Sequence, residues 1–255
     1  MSCTVAEFRL RVFHLGVMWL VLLALAVTTT LLLGDAFELH AMHDPVWVAA
    51  YRRLIDRLSH YGMLPFYGLF AVTLAIGVHT RDPRWIYLGQ GYVLAQLVGP
   101  VIIVRALKMV VGRGRPDFID HSAVTEVAGV TWSAAFHSFP SGHAADLVTS
   151  TIFVALLAQR LWVTGVALVW AMAVAWSRVA LAKHYPSDVI GGAAIGVIAA
   201  LGALNLWVAP RWERALGARR AALRAATTSD IISPAPREDC ERSPSTPDDH
   251  HHPPV

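Results

Sequence analysis

Long apolar stretches separated by polar connections dominate the chain. Six can be distinguished, approximately Val12–Leu33, Tyr61–Val78, Trp85–Leu107, Ala144–Leu157, Leu161–Trp176 and Val189–Val208. A helix that crosses a membrane needs about 20 mostly apolar residues, within a range of roughly 17–25. The first, second, third and sixth stretches meet this length. The fourth and fifth meet it if they begin at Ser141 and end near Ala182. The pattern therefore predicts an all-α integral membrane protein with six transmembrane helices.

An even number of spans places both termini on the same side of the membrane. The connections Gly34–His60, Lys108–Pro140 and Arg178–Asp188 then share the opposite side. Three polar clusters lie in or beside these connections, so the topology brings them together at one membrane face. Arginine is more frequent on the side of the termini, which predicts cytoplasmic termini and an extracytoplasmic polar face. We expect the inner (plasma) membrane of a bacterium.

The composition agrees with a membrane protein. Hydrophobic residues make up 55% of the chain and charged residues only 15%, whereas a soluble domain has about 25% charged residues. The formal net charge is +3 and the arginines lie at the ends of apolar stretches, so no nucleic-acid partner is expected. Cys3 and Cys240 lie in the two terminal segments, and we expect both to be free thiols in a reducing compartment.

The apolar stretches define one membrane domain over residues 12–209, preceded by a cytoplasmic N-terminal segment, residues 1–11. Residues 210–226 interleave arginine with apolar residues, which predicts a basic amphipathic segment against anionic lipid. After them the composition turns to serine, proline and acidic residues, so the tail 227–255 is expected to be disordered.

Pro45–His60 mixes apolar residues with arginines and predicts a short helix in the membrane interface. A connector is the simpler interpretation of this segment, and a contact with substrate is the alternative. His40 and His43 precede it without a third ligand at a suitable spacing. We therefore expect them to be solvated loop residues and predict no metal site.

The polar cluster with the clearest chemistry is Phe-Pro-Ser-Gly-His at residues 139–143, which leads into an apolar run. Pro140 disfavours helix before it and Ser141 is a good N-cap, so a helix is predicted to begin here. The first amides of that helix lack intrahelical partners and, with the helix dipole, form a site for an anion. Gly142 allows close approach to the backbone, and His143 stands at the edge of the site. The same pentapeptide is also compatible with an ordinary turn.

Two further clusters supply fixed positive charges. Lys108 and Arg115 are seven residues apart, and a curled loop through the intervening glycines can bring both onto one anion. Arg178 precedes His184 by six residues, and the proline two residues after His184 indicates a turn that can bring Arg178 back. Arg113 is interpreted instead as a cation extending to the membrane surface.

His184 and Asp188 are four residues apart, at the predicted start of the last span. Ser187 is the expected cap of that span, and Asp188 lies in its first turn. The Asp188 carboxylate can accept a hydrogen bond from one ring nitrogen of His184, which leaves the other free as a nucleophile. A simple acidic residue at a helix N-terminus is the alternative interpretation of Asp188.

The three clusters together carry a resemblance to a known family. They read K-x6-R-P (Lys108, Arg115, Pro116), P-S-G-H (Pro140–His143) and S-R-x5-H-x3-D (Ser177, Arg178, His184, Asp188). This resembles the three-part signature of the type-2 phosphatidic acid phosphatase superfamily, which includes lipid phosphate phosphatases and vanadium haloperoxidases. The resemblance implies a haloperoxidase-like helical bundle with its site at one membrane face.

The resemblance also implies a mechanism that needs no metal and no cofactor. His184 would attack phosphorus to give a phosphohistidine, Asp188 would orient it, and His143 would protonate the leaving oxygen. The phosphate oxygens would be held by Lys108, Arg115, Ser141, Gly142 and Arg178. The expected substrate is a lipid phosphate or diphosphate, such as undecaprenyl diphosphate, phosphatidylglycerol phosphate, phosphatidate or a lipid A phosphate.

Two residues outside the signature are candidates for a supporting role. Asp146 is the only acidic residue inside an apolar stretch, and an ionisable residue in a membrane span is commonly functional. His137 precedes the second motif and either meets the substrate headgroup or is a loop histidine with its own partners. Phosphotransfer to an acceptor other than water would use the same residues as hydrolysis. A lipid-phosphate transporter is the alternative outside enzymes, although no internal repeat is visible.

Overall fold

Helices make up the regular structure of the protein. The computed structural model describes residues 5–43, 45–117, 127–158 and 160–232, and it contains no β-strand in these ranges. The helices are α1 Val5–Leu33, α2 Asp35–His43, α3 Val46–Ala50, α4 Arg52–Tyr61, α5 Leu64–Thr80, α6 Pro83–Gln96, α7 Val104–Val111, α8 Gly142–Ala158, α9 Leu161–Ala180, α10 Pro186–Ala203 and α11 Ala209–Ile232. The predicted all-α class is confirmed.

Three shorter helical stretches accompany these helices in the residues that the structure describes. The π-helical segments Leu97–Ile103 and Leu204–Val208 join α6 to α7 and α10 to α11, and a single 3-10 turn, Ala134–Phe136, precedes α8. Pro100 lies inside the first π-helical segment. Such segments occur where a helix accommodates an extra residue without breaking.

Five helical segments in the described part of the chain are long and apolar enough to cross a membrane. They are Ala6–Leu33, Arg52–Thr80, Pro83–Val111, Leu161–Ala180 and Pro186–Ala218. The fourth predicted span corresponds to α8, which has 17 residues and is shorter than these five. The structure therefore supports a membrane protein with five candidate spans, and a count of six stays a prediction.

α8 lies at the centre of the helical bundle. Every residue from Ala144 to Val154 is buried, and α6, α9 and α10 all contact the helix. The Phe153 ring meets the rings of Phe70 and Tyr92 edge to face. Because other helices surround α8, protein contacts rather than lipid cover most of its surface.

α8 and α10 approach each other closely at two glycines of α10. A β-carbon on Gly192 would lie 2.1 Å from the carbonyl oxygen of Ser141, and one on Gly196 would lie 2.4 Å from the carbonyl oxygen of Ala145. These distances are far shorter than a van der Waals contact, so only glycine fits. Small residues spaced four apart commonly allow such backbone contact between membrane helices.

Glycine and proline set several helix ends. Pro83 is the first residue of α6, and the Asp82 side chain accepts a hydrogen bond from the Arg84 amide at 3.0 Å. α7 ends at Val111, and Gly112 after it has a φ of 60°. A β-carbon on Gly112 would lie 1.9 Å from the Gly129 carbonyl oxygen. The chain therefore leaves α7 through a backbone conformation at residue 112 that only glycine permits.

Some predicted boundaries and environments were wrong. α1 begins at Val5, before the predicted Val12, because residues 5–11 extend the same helix. Pro45–His60 contains two short helices, α3 and α4, of which Val48 and Ile55 pack on the end of α9. His40 and His43 are helical rather than loop residues, and the His43 ring contacts the Ala180 carbonyl oxygen at 2.7 Å.

The chain divides into two compact units, Met1–Ala215 and Leu216–Val255. In the second unit the described residues, 216–232, are helical. Residues 227–232 are therefore helical, whereas disorder was predicted from residue 227 onwards. The remainder of the predicted tail, and both cysteines, lie outside the described residues.

We expect Gly196→Ala to destabilise the folded protein, because the new methyl group would overlap the backbone of α8. Overpacking of this kind costs about 1–3 kcal/mol. The measurement is thermal unfolding of the detergent-solubilised protein. Gly202→Ala on the same helix is the matched control, since a β-carbon there meets nothing within 4 Å. Equal melting temperatures for the two variants would contradict the prediction.

Candidate active site

The N-terminus of α8 is held against the start of α10 by the backbone. Ser141, which is fully buried, precedes α8 and donates its amide N–H to the carbonyl oxygen of Asp188 at 2.8 Å. Its hydroxyl oxygen lies 3.5 Å from the Ala144 amide nitrogen, a long capping contact. The second and third motifs of the sequence are therefore joined directly, and helix α8 begins where the sequence predicted.

Gly142, the first residue of α8, differs from the glycines of α10. A β-carbon built on it would meet only the Val104 side chain, at an ordinary contact distance of 3.7 Å. Protein packing therefore does not require glycine at this position. Because the first amides of a helix lack intrahelical acceptors and Gly142 has no side chain, the backbone is accessible here, which suits a bound anion.

Lys108 and Arg115 border the same region from the end of α7. The Lys108 ammonium donates to the His137 carbonyl oxygen at 2.6 Å and lies 3.4 Å from the Ser138 carbonyl oxygen. The Arg115 amide donates to the Ala135 carbonyl oxygen at 2.8 Å, which ties the first motif to the loop before α8. The Arg115 Nε atom is buried without a hydrogen-bond partner.

Arg178 lies in the last turn of α9 and is brought back toward His184 by a tight turn. Its carbonyl oxygen accepts hydrogen bonds from the Lys183 and His184 amides at 3.0 and 3.3 Å. Ala182 adopts a left-handed backbone conformation within this turn. Arg178 Nη1 contacts the Ser59 hydroxyl of α4 at 2.5 Å, whereas its Nε is buried without a partner.

The structure brings the cationic side chains close enough to act on one another. The charges of Arg178, Lys108 and Arg115 all act on His143, and so does His184. Burial of guanidinium N–H groups without acceptors is unfavourable in free energy. Two such Nε atoms beside a lysine and a helix N-terminus form an arrangement that an anion with several oxygens would satisfy.

His184 is almost fully buried, at 2% exposed. Its Nδ1 lies 3.6 Å from Asp188 Oδ2, just beyond hydrogen-bond distance, and has no other partner. Burial lowers the pKa of His184 to about 4, the nearby Lys108 and Arg178 add to this, and Asp188 opposes it only in part. The ring is therefore neutral at physiological pH, as a nitrogen nucleophile must be.

Asp188 is completely buried and is surrounded by donors. Its Oδ2 accepts from the Tyr185 amide at 2.8 Å and from the Ser138 hydroxyl at 2.5 Å. The first of these bonds belongs to a capping box, in which Tyr185 is the N-cap of α10. The prediction that Ser187 caps this helix was therefore wrong, because the N-cap is Tyr185, two residues earlier, and α10 begins at Pro186. Asp188 is thus a helix-terminal acid and also a neighbour of His184.

The interpretation of Arg113 as a membrane-surface cation was also wrong. Its guanidinium forms ion pairs with Asp188 at 2.7 Å and with Asp35 at 2.9 Å, and its side chain is only 13% exposed. It also lies over the Tyr185 ring, 4.3 Å from the centroid. The spacing in the sequence could not indicate this, because Asp35 comes from a separate connection more than seventy residues upstream.

The side chains of Asp146 and His137 have partners away from the cationic cluster. Asp146 accepts hydrogen bonds from the Tyr67 hydroxyl and from Gln96 Nε2, the latter at 2.7 Å. The His137 ring contacts the Thr131 carbonyl oxygen at 3.0 Å, as a loop histidine with its own partner would. A supporting role for either residue stays a prediction.

An apolar cleft of about 470 Å³ runs between α1, α8, α9 and α10. Its lining includes Ala144 and Pro186, which are close in sequence to His143 and Asp188, and it reaches inward to Trp19. From Trp19 to Thr30 it follows α1 for about 16 Å. Apart from Thr29, Thr30 and Glu38, its lining residues are apolar. No group of three or more potential metal ligands occurs among the described residues.

Comparison with known proteins identifies the family. A family model described as the PAP2 superfamily matches residues 85–212, just over half of the 255 residues, and this region contains every residue of the three motifs. The lipid A 1-phosphatase of Rhizobium etli is 35% identical over 106 residues, which cover 41% of this chain and 44% of that protein. The matched part therefore spans less than half of this relative.

Two other relatives are matched over more of their length. The decaprenylphosphoryl-5-phosphoribose phosphatase of Mycobacterium tuberculosis is 35% identical over 59% of this chain and 82% of the relative. The undecaprenyl-diphosphatase of Sulfolobus acidocaldarius is 27% identical over 73% of this chain and 88% of the relative. The crystal structure of Aquifex aeolicus LpxE aligns with a TM-score of 0.47 and 20% identity, over 66% of this chain and 92% of that one.

The low pKa of His184 should make the stability of the protein depend on pH. The folded-state pKa, about 4, lies below the value of about 6.5 expected in the unfolded chain. The resulting stabilisation, on the order of 3 kcal/mol, is present above pH 6.5 and is lost as pH falls from 6.5 through 4. His184→Gln lacks this contribution, so wild type should lose more thermal stability than the variant between pH 7.5 and 4.5. Parallel losses would contradict the prediction.

Proposed function

The chain belongs to the PAP2 superfamily, and from this premise we propose that it is a membrane phosphatase that hydrolyses a lipid phosphate or diphosphate. The observation that carries the proposal is the cluster of Lys108, Arg115 and Arg178, in which two guanidinium Nε atoms are buried without acceptors. A phosphoryl group supplies negative oxygens for these donors. Preorganised donors of this kind stabilise the charge that is distributed over a phosphoryl group during its transfer.

A lipid substrate is supported by two observations. The relatives are named as phosphatases of lipid A, decaprenylphosphoryl-5-phosphoribose and undecaprenyl diphosphate, all of which carry phosphate on a long-chain lipid. The apolar cleft beside the site has a lining suited to a hydrocarbon chain. We propose that one chain of the substrate occupies this cleft.

The first chemical step in the proposed mechanism forms a phosphohistidine. Nδ1 of His184 faces Asp188, so Nε2 is the nitrogen that attacks phosphorus. The new P–N bond replaces the ester or anhydride P–O bond, and His143 gives its proton to the departing oxygen. Lys108, Arg115, Arg178, the Ser141 hydroxyl and the Gly142 amide hold the three remaining phosphoryl oxygens.

The second step hydrolyses the intermediate. A water molecule attacks phosphorus, the P–N bond breaks, and His143, now neutral, accepts the proton of the water. Inorganic phosphate leaves and both histidines return to their starting states. The protons and bonds balance without a metal ion, so metal independence is part of the proposal.

We also propose the membrane arrangement that the sequence predicts. In it α8 is a sixth, central span of the domain 12–209, and the termini are cytoplasmic. The site then faces the extracytoplasmic side of a bacterial inner membrane. The enclosure of α8 by other helices supports a short span at this position.

His184→Ala should abolish the release of inorganic phosphate, because no other group can form the intermediate. The assay is phosphate release by the detergent-solubilised protein from a panel of lipid phosphates and diphosphates in EDTA. His79→Ala is the control, since His79 is exposed at the end of α5. Orthovanadate should inhibit the wild type.

Three results would contradict the proposed chemistry. They are full activity in His184→Ala, a requirement for a divalent ion, and loss of the substrate phosphate to another acceptor without release of inorganic phosphate. The last would indicate phosphotransfer through the same histidine. A folded wild-type protein that acts on no member of the panel would count against catalysis itself.

Filling the apolar cleft should change the dependence of activity on chain length. Ala171 is buried in the cleft lining, so Ala171→Phe should lower kcat/KM for long-chain lipid phosphates by about tenfold or more, equivalent to roughly 1.4 kcal/mol. Hydrolysis of a short, water-soluble phosphomonoester should change little. Val166→Phe, on the exposed side of the same helix, is the control. An unchanged chain-length dependence in Ala171→Phe would contradict a chain in the cleft.

A further inference from the structure

We propose that Arg113 and Asp35 are positioning residues. They hold the Asp188 carboxylate so that Oδ2 faces His184 and Oδ1 is bound to Arg113. The proposal rests on the proposed function, in which Asp188 orients His184. It assigns a role to two residues that are not signature positions of the three motifs: Arg113 occupies a variable position of the first motif, and Asp35 lies outside all three. The contacts of Arg113, Asp35 and the first turn of α10 carry it.

Arg113 bridges two carboxylates that come from distant parts of the chain. Its Nη1 donates to Asp188 Oδ1 at 2.7 Å and its Nη2 donates to Asp35 Oδ2 at 2.9 Å. All three side chains are at most 14% exposed. Guanidinium presents its N–H groups in a fixed planar fork, so it can hold both acids at once and a lysine ammonium cannot do so with the same geometry.

Asp35 fixes the residue next to Asp188 as well as Arg113. Its Oδ1 accepts from the Ser187 amide at 2.9 Å, and its Oδ2 accepts from the Ser187 hydroxyl. Arg113 Nη1 also donates to the Ser187 hydroxyl at 2.7 Å. The start of α2 is thereby attached to the first turn of α10, immediately before Asp188.

The two Asp188 oxygens consequently have different partners. Oδ1 is occupied by Arg113, whereas Oδ2 accepts from Ser138 and the Tyr185 amide and is the oxygen nearest to His184 Nδ1, at 3.6 Å. A short movement of the imidazole closes this gap to a hydrogen bond. Arg113 thus selects the oxygen that His184 meets and draws negative charge away from it.

The Arg113 guanidinium remains charged in this position. Burial alone would lower the pKa of Arg113, but the carboxylates of Asp188 and Asp35 outweigh it and raise the pKa above its ordinary value. The groups that act on His184 are Lys108 and Arg178, which disfavour its protonation, Asp188, which favours it, and His143. Arg113 influences His184 through Asp188.

A direct contact of Arg113 with phosphate is the competing role. Its Nη atoms are already directed at Asp188, Asp35 and Ser187, whereas Arg115 and Arg178 each have a buried Nε without an acceptor. The proposal therefore predicts a loss of turnover without a matching loss of anion affinity.

The test measures Arg113→Gln and Asp35→Asn beside wild type, with Arg160→Gln as the control, because Arg160 is an exposed arginine at the opposite end of α9 from Arg178. We expect Arg113→Gln to lower kcat on the order of a hundredfold, the usual effect of a displaced reacting group. The inhibition constant for orthovanadate should change little. Arg113→Lys should restore only part of the activity, and the double variant should lose less than the product of the two single losses.

A second readout does not depend on activity. NMR titration of labelled histidine in the detergent-solubilised protein, with His184→Gln for assignment, should show His184 titrating at higher pH in Arg113→Gln than in wild type. This follows because Asp188, released from Arg113, would act more strongly on the His184 ring. Asp35→Asn should shift the titration in the same direction by a smaller amount.

Two outcomes would overturn the proposal. A loss of orthovanadate affinity that parallels the loss of kcat would place Arg113 on the anion. An unshifted His184 titration in a folded Arg113→Gln protein would reduce the ion pairs to a purely structural role. If wild type releases phosphate from no substrate, the proposed function fails, and the titration still decides whether Arg113 and Asp35 control His184.

Discussion

Like charges repel strongly in a poorly hydrated site, and this protein gathers Lys108, Arg115 and Arg178 around the N-terminus of one helix. Several hydrogen-bond acceptors around the site offset part of that repulsion. Carbonyl oxygens of the loop before α8 accept from Lys108, and the Ser59 hydroxyl accepts from Arg178. Two donors remain without acceptors, the buried Nε–H groups of Arg115 and Arg178, and such donors would favour the binding of an anion.

The backbone also fixes the two helices whose first turns lie beside these charges. The bond from the Ser141 amide to the Asp188 carbonyl joins the starts of α8 and α10, and the close approach at Gly192 and Gly196 continues the contact along both helices. Ser141 and Gly142 at the start of α8, and His184 just before α10, are therefore held by one closely packed pair of helices. Precise placement of this kind is what a reaction at phosphorus requires, because small errors in position cost large factors in rate.

The sequence was sufficient to predict the helical class, the membrane character and the grouping of the three motifs, because apolar length and motif order carry that information. It could not predict the environment of Arg113, since its partners Asp35 and Asp188 become neighbours only in the folded chain. It misplaced the start of α10 because proline at the first helical position and a buried acid at the third together outweigh a serine cap. It also overlooked that a central helix such as α8 can be short, because its neighbours rather than the bilayer surround it.

Glycines that look alike in the sequence have different steric surroundings in this protein. At Gly192 a methyl group would collide with the Ser141 carbonyl, so substitution is rejected while the chain folds and inserts. At Gly142 the protein leaves room for a methyl group, so a substituted chain would fold and fail only when the proposed ligand arrives. Substitution of Gly192 would therefore lower the amount of folded protein, whereas substitution of Gly142 would leave that amount unchanged and, under the proposed function, would remove activity.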